Sequence, residues 1–346
     1  MKVDQTLQNL PSGSFLDIAD YAVAAESLGF DGIFTAETGH DPFLPIAAAA
    51  GETSSIELGT AIAVAFARSP MTIAYTAWDL AEATSGRLLL GLGTQIKAHI
   101  ERRFNMPWSS PGPRMREYIA ALRAIWHSWQ TGERLRFSGD FYEFSLMTPF
   151  FSPQPMAHSD IPIYIAGVGD YMCRVAGEAA DGFHVHPFHT LRYLTDVVMP
   201  NIEKGAALAD RAAGDVELAT GVLVISGRTE EELAASRLAT KIQIAFYAST
   251  PAYRGVLDLH GWDFGSELTA MSKRGEWMAM GEVIPDEIVD ELAVTAPLES
   301  LGQAVREKYE GALDRVGFYF SNIPGQSPLV DPTDEEWSAL VAGVRG

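Results

Sequence analysis

Glu37 and His40 stand in the run Thr35-Ala36-Glu37-Thr38-Gly39-His40-Asp41-Pro42. A carboxylate and an imidazole this close can hold or exchange a proton near neutral pH, and Glu37 can also accept from a ring N–H of a cofactor. A helix-capping loop with a solvated acid would use the same residue types. A second candidate is Tyr164-Ile165-Ala166-Gly167-Val168-Gly169-Asp170, which reads as a strand, a Gly-x-Gly turn and a helix start. Free backbone N–H groups and the positive end of a helix dipole at Gly167, Val168 and Gly169 would bind a phosphate. No third glycine sits at the offset of a full dinucleotide fingerprint. A third candidate is Phe183-His184-Val185-His186-Pro187-Phe188-His189. Alternation on a strand turns His184 and His186 to one side. Two such imidazoles suggest a metal site with Glu37 as third ligand, but no sequence-local carboxylate completes the set. Ligand or cofactor contact is the better reading, and no metal is expected.

Two further stretches are rich in small residues. In Gly59-Thr60-Ala61-Ile62-Ala63 they would let a flat ring approach the backbone, although a well-packed buried strand looks the same. In Gly91-Leu92-Gly93-Thr94-Gln95 two glycines beside Thr94 and Gln95 suit polar contact with a ligand edge. Lys97, His99, Arg102 and Arg103 follow, a basic cluster that would attract an anionic cofactor tail. The alternative is a solvated helix face with Lys97 and Glu101 paired at i,i+4.

The elements that must position these residues alternate. Strands are predicted at Val3–Leu7, Phe30–Thr35, Ile56–Val64, Arg87–Gly93, Ile161–Ala166, Gly182–His186, Leu218–Ser226 and Gly317–Phe320, with helices between them. Ser14 with Asp17 and Thr229 with Glu232 read as capping boxes, and Gly29 as a helix stop. Strict strand–helix alternation implies a parallel sheet with right-handed crossovers, and eight units favour a closed (β/α)8 TIM barrel over an open sheet. Such barrels carry their chemistry at the C-terminal strand ends, where all five stretches fall. Two segments break the pattern. Residues 131–145 read as a hairpin. Residues 250–294 are long, aromatic and irregular, the mark of a lid or an assembly surface inserted into a single domain spanning 1–346.

The chain has 346 residues, 47% of them hydrophobic, and 25 Lys+Arg against 45 Asp+Glu, for a net charge of −20. So acidic a surface repels phosphate backbones and anionic lipids, and argues against nucleic-acid and membrane partners. Cys173 is the one cysteine, which excludes an internal disulfide and a cysteine-rich metal site and fits a reducing compartment. The N-terminus lacks the apolar run of a signal peptide, so the expected location is cytoplasmic.

The runs Leu58-Gly59-Thr60-Ala61-Ile62, Arg68-Ser69-Pro70 and Ser85-Gly86-Arg87-Leu88-Leu89-Leu90-Gly91-Leu92-Gly93 resemble the luciferase-like monooxygenase family, bacterial luciferase-like β/α barrels. So do Pro162–Gly169 and Ala176–Gly182. The resemblance covers nearly the whole chain in the right order, and within the family is nearest to the coenzyme F420 (deazaflavin)-dependent oxidoreductases of actinobacteria. It implies F420, or alternatively FMN, at the barrel mouth, a small-molecule substrate and a homodimer. It implies that a bulge in strand three, with a non-proline cis peptide at Ala61–Ile62, supports the ring; that Gly167, Val168 and Gly169 take the phosphate; and that Glu37 contacts the pyrimidine side of the ring. Sugar-phosphate dehydrogenases of the family place a histidine directly after that acid. Here Thr38 follows, with His40 two residues later, so the resemblance does not extend to a sugar-phosphate substrate. The resulting expectation is hydride transfer between the deazaflavin and a small organic substrate. The alternatives are an FMN-dependent monooxygenase and a non-catalytic ligand-binding barrel.

Overall fold

A computed structural model describes residues 1–7, 14–323 and 329–346. The eight predicted strands are present: β1 (Lys2–Leu7), β2 (Gly32–Thr35), β3 (Glu57–Thr60), β4 (Leu88–Gly93), β5 (Ile163–Gly167), β6 (Gly182–Val185), β7 (Glu217–Ile225) and β8 (Arg315–Phe320). Each pairs in parallel with its successor, and β8 pairs with β1, so the sheet closes on itself. The fold is the (β/α)8 barrel the alternation implied. Strand β4 is buried along its whole length, as a near-continuous apolar run between two covered faces should be.

The third strand is not the single run from Ile56 to Val64 that its apolar content suggested. It stops at Thr60 and resumes at Ala63–Val64, which pairs with Leu92 and Gly93 of β4. The peptide between Ala61 and Ile62 is cis, at the position the resemblance indicated.

The helices follow their caps. Ile18–Ser27 buries Ile18, Ala22 and Ala25 at the predicted spacing. Its entry is a 3-10 turn, with the Ser14 hydroxyl accepting from the Leu16 N–H, rather than a capping box with Asp17. The expected hairpin forms from Phe137–Ser138 and Glu143–Phe144, its turn gathered by Glu117, which accepts from the N–H groups of Asp140, Phe141 and Tyr142.

The 250–294 segment is not irregular. It folds into four short helices, Arg254–His260, Gly265–Arg274, Trp277–Met280 and Asp286–Leu292, which bury Leu257, Leu268, Met280, Val289 and Leu292. Gly261 and Gly275, both in the left-handed region, end two of these helices before a 3.6-residue period can accumulate. A helix at Asp334–Arg345 escaped the sequence reading, although Thr333 and Glu336 form a complete capping box at its start. Among the described residues no helix is long and apolar enough to cross a membrane.

The N-terminal end of the barrel is plugged by charge. Arg315 on β8 is fully buried and holds Asp4 on β1 with two hydrogen bonds, Nε–Oδ2 at 2.8 Å and Nη2–Oδ1 at 2.6 Å. Its Nη1 reaches Glu57 on β3 at 2.5 Å. Tyr164 on β5 donates to Glu217 on β7, and Lys2 lies 3.0 Å from Glu57 and 3.6 Å from Glu217. Burial raises the Asp4 pKa to about 6 against the pull of Arg315. These groups bind five strands together away from the mouth and leave the opposite end free for chemistry.

Candidate active site at the barrel mouth

Glu37 lies two residues beyond β2, with its side chain only 6% exposed. Its Oε2 accepts from the Val64 N–H and from Arg68 Nη1, both at 2.7 Å, while its own N–H donates to the Ile62 carbonyl at 3.2 Å. Glu37 is thus tied by its carboxylate to the resumed part of the third strand and by its N–H to the break before it. Arg68 also reaches Asp41 at 3.0 Å, and Asp41 accepts from the N–H groups of Phe43 and Leu44 at the start of the helix Leu44–Ala50. The loop therefore contains the helix-capping device as well as the acid. His40 is exposed on the same loop. Arg68, quoted in the sequence only as part of a motif, is the partner that fixes Glu37. Spacing could not reveal a pairing across 31 residues.

Thr60, the last residue of β3, donates its hydroxyl to the Gly91 carbonyl at 2.6 Å and accepts from the Gly91 N–H at 3.0 Å. Gly91 is required by this approach, since a Cβ there would lie 1.7 Å from the Thr60 carbonyl oxygen. The Ile62 side chain lies across Gly93, where a Cβ would meet its Cδ1 at 2.5 Å. Thr60, Gly91 and Gly93 are buried beneath this contact, and Ala61 and Ile62 are left partly exposed. Thr94 and Gln95 turn to local tasks instead. Thr94 Oγ1 donates to the Gln95 carbonyl, and Gln95 Oε1 accepts from the Ile96 N–H. Beyond them Arg103 donates to the Thr38 carbonyl at 2.8 Å, bringing the basic segment against the Glu37 loop. Lys97 and Glu101 make the i,i+4 pair at 3.8 Å on an exposed face.

Gly167, Val168 and Gly169 join β5 to the ten-residue helix Asp170–Ala179. Gly169 is the N-cap, at φ +83° with open space where a Cβ would point. The first N–H groups of that helix have no intrahelical acceptor. Asp170 in the first turn favours the helix but opposes an anion.

The two histidines expected to face one way have separate surroundings. His184 packs against Phe34 at 5.4 Å and Tyr164 at 5.3 Å inside the barrel, and its Nε2 is sealed without a hydrogen-bond partner. Burial, aided by Arg315, lowers its pKa to about 4. His186, just beyond β6, stacks on Tyr253 at 4.2 Å and meets Tyr247 edge-on at 4.7 Å. Burial, then the neighbouring His189, lowers its pKa to about 3. His189 donates from Nδ1 to the His186 carbonyl at 2.9 Å, and burial lowers its pKa to about 4. Tyr247, Tyr253 and Tyr319 were not singled out in the sequence. Tyr247 sits near the end of the helix Glu230–Ala248, whose start Thr229 and Glu232 mark, only Tyr253 falls in the 250–294 segment, and Tyr247 and Tyr319 join through their hydroxyls at 3.0 Å.

A cavity of about 760 Å3 opens at the other end of the barrel, beside Lys2, Asp31, Glu203, Glu217, Asp314 and Arg345. It is larger than the crevice lined by Gly167, Val168, Gly169, His186 and Tyr253. Size does not decide between them. Barrel enzymes place their chemistry at the C-terminal strand ends, and there the structure gathers a clamped acid, a glycine loop at a helix start and neutral imidazoles.

Residues 2–315 match the model of the luciferase-like monooxygenase family. The chain belongs to that family. It is an oxidoreductase on a luciferase-like barrel. An uncharacterized protein of Mycobacterium tuberculosis is 50% identical over 317 residues, 91% of this chain and 92% of that one. The 5,10-methylenetetrahydromethanopterin reductase of Methanolobus tindarius is 28% identical, covering 83% of this chain and 85% of the reductase. Among solved structures, the coenzyme F420-dependent tetrahydromethanopterin reductase of Methanopyrus kandleri superposes with a TM-score of 0.77 at 20% identity, covering 99% and 98% of the two chains. That last likeness is one of fold.

Proposed function

We propose that this protein is a coenzyme F420-dependent oxidoreductase that moves a hydride to or from a small organic substrate at the barrel mouth. The observation that carries the reading is the pairing of a side-chain-poor surface with a basic edge in a molecule of net charge −20. The surface is Ala61 and Ile62, backed by the buried Thr60, Gly91 and Gly93, and Arg103 anchors the edge to the Glu37 loop. The residues fit the group: close approach of β3 and β4 leaves a flat face for a ring, and the start of the helix Asp170–Ala179 offers backbone donors for a phosphate. Lys97, Arg102 and Arg103 suit the further negative charge of a deazaflavin tail, which FMN lacks.

The cofactor, when bound, supplies the hydride acceptor or donor. The protein orients it. Ala61 and Ile62 would lie beneath the ring, with Glu37 fixing them through Val64 and Arg68. Gly167, Val168 and Gly169 would hold the phosphate. His184 under this surface stays neutral, so it neither repels nor protonates a ring edge at neutral pH.

Fluorescence titration of the apoprotein with each cofactor tests the reading. F420 should bind at micromolar concentration or tighter and FMN at least about tenfold more weakly, a margin of about 1.4 kcal/mol. Tight FMN binding with no F420 binding would reverse the assignment in favour of a monooxygenase. Val168, 38% exposed, is a safe probe of the phosphate loop. Val168→Asp should weaken cofactor binding more than about tenfold by setting like charges together, without loss of folding. Unchanged affinity would remove the phosphate from this loop.

A further inference from the structure

The larger cavity lies at the end of the barrel away from the mouth. It measures about 760 Å3, within the roughly 300–1,000 Å3 of small-molecule sites. One wall is the helix Met199–Leu208 with the turn Ala213–Asp215 that follows it. The other comprises the start of β1, the approaches to β7 and β8, and Arg345 at the end of the C-terminal helix. Among its charged side chains, Lys2 and Arg345 face Asp31, Glu203, Glu217 and Asp314, so two cations meet four carboxylates. Both cations are already engaged. Lys2 Nζ lies 3.0 Å from Glu57 and 3.6 Å from Glu217. Arg345 pairs with Asp31 at 2.9 Å and donates to the Gly29 carbonyl at 2.6 Å. The carboxylates are not all matched in return. Glu203, which is exposed, makes no hydrogen bond or ion pair among the described residues. Asp314 is engaged through Oδ2 alone, which accepts from the Leu218 N–H at 2.8 Å. Met199, Ile202, Val216 and Leu313 add hydrocarbon to the lining.

We propose that this cavity is a second ligand site, separate from the mouth, that takes a small organic dication: two amino groups joined by a short hydrocarbon chain. Glu203 on the helix wall and Asp314 on the strand wall each present carboxylate oxygen to an ammonium, and charge-assisted hydrogen bonds of that kind are the strong ones. The methylenes between the two amines would lie against Met199, Ile202 and Val216. Charge selects the occupant. The net −20 of the chain and the surplus of acids on these walls repel a phosphate or a carboxylate. The same field turns away a second copy of the chain, which carries the same −20. It also keeps an anionic cofactor out of the larger cavity, so the two ends differ in the sign of the ligand they accept.

The test titrates the full chain with 1,5-diaminopentane at low ionic strength. Hexanoate serves as the anion of similar length, and ammonium as the cation without hydrocarbon. Calorimetry should give one diamine site per chain, no binding of hexanoate, and ammonium at least about tenfold weaker than the diamine. In protein carrying 13C-methyl methionine, the Met199 signal, assigned through Met199→Leu, should move with the same midpoint. Glu203→Gln should weaken the diamine about threefold to fivefold, the upper range for an exposed ion pair. Gly214→Lys should weaken it by at least as much, since it sets a cation on the wall where a side chain meets nothing within 4 Å. Both positions are exposed, so both variants should fold, which the far-ultraviolet circular dichroism of each checks. Ammonium binding as tightly as the diamine would mean an acidic surface alone and would overturn the proposal. So would several equal diamine sites, a Met199 methyl that does not move, or unchanged affinity in both variants.

Discussion

His184, His186 and His189 enter the folded protein without their protons. Each is lowered from 6.5, to about 4, about 3 and about 4, chiefly by burial. In the unfolded chain they take up protons as the pH falls through 6.5, whereas the folded chain resists until far lower. The unfolded state therefore binds more protons between these limits, and stability that is complete above pH 6.5 drains away as the pH falls toward 4. Asp4 works the other way. Its carboxyl, raised to about 6, is protonated earlier in the folded state, so that one group offsets part of the loss. Urea unfolding should show a midpoint that falls steadily between about pH 6.5 and about pH 4.5, and His184→Gln should flatten that slope by about one proton. A midpoint independent of pH in this window would contradict the burial of these rings. At this scale the sequence exposed the residue types but not their state. Alternation put His184 and His186 on one side. It could not show that one is sealed in the barrel and the other held by a backbone N–H two residues on.

The third strand and the loop that braces it form the element on which the site depends. Glu37 bridges the Val64 backbone and Arg68 and is nearly buried, so removing it takes from Arg68 the more buried of its two carboxylate partners. Glu37→Ala should cost about 1–3 kcal/mol, and Arg68→Met a similar amount. Because the two side chains serve one contact, the double variant should lose clearly less than the sum, which denaturant unfolding of the four proteins measures. Additive losses would mean that Glu37 does not act through Arg68. Cofactor affinity should fall with Glu37→Ala as the surface at Ala61 and Ile62 loosens. Strand order and the barrel were legible because β4 and β7 are long apolar runs set between helical periods. The break at Ala61–Ile62 was not legible from periodicity, since both halves are apolar; only the family resemblance located it. The four helices of the 250–294 segment were hidden by their shortness. The final helix announced itself through Thr333 and Glu336 and was passed over.

At the scale of the whole molecule the barrel has two unlike ends. Arg315 closes the N-terminal end by drawing Asp4, Glu57 and Glu217 toward one guanidinium that is fully buried. Buried ion pairs of this kind tie strands into a register more than they add stability, and they leave little conformational freedom below the site. The C-terminal end carries loops from every part of the chain, so its assembly could not be read from any one segment. The Glu37 clamp and the glycine loop are separated by more than a hundred residues and are brought to one end by strand closure alone. Both ends offer space, and the cavity beside Lys2 and Arg345 is the larger. A crystal soaked with F420 discriminates directly between them. The account predicts ring density against Ala61 and Ile62, phosphate density at the N–H groups of Gly167–Gly169, and the charged tail toward Arg102 and Arg103. Density in the cavity beside Lys2, or a ring at the mouth lying away from Ala61 and Ile62, would contradict it.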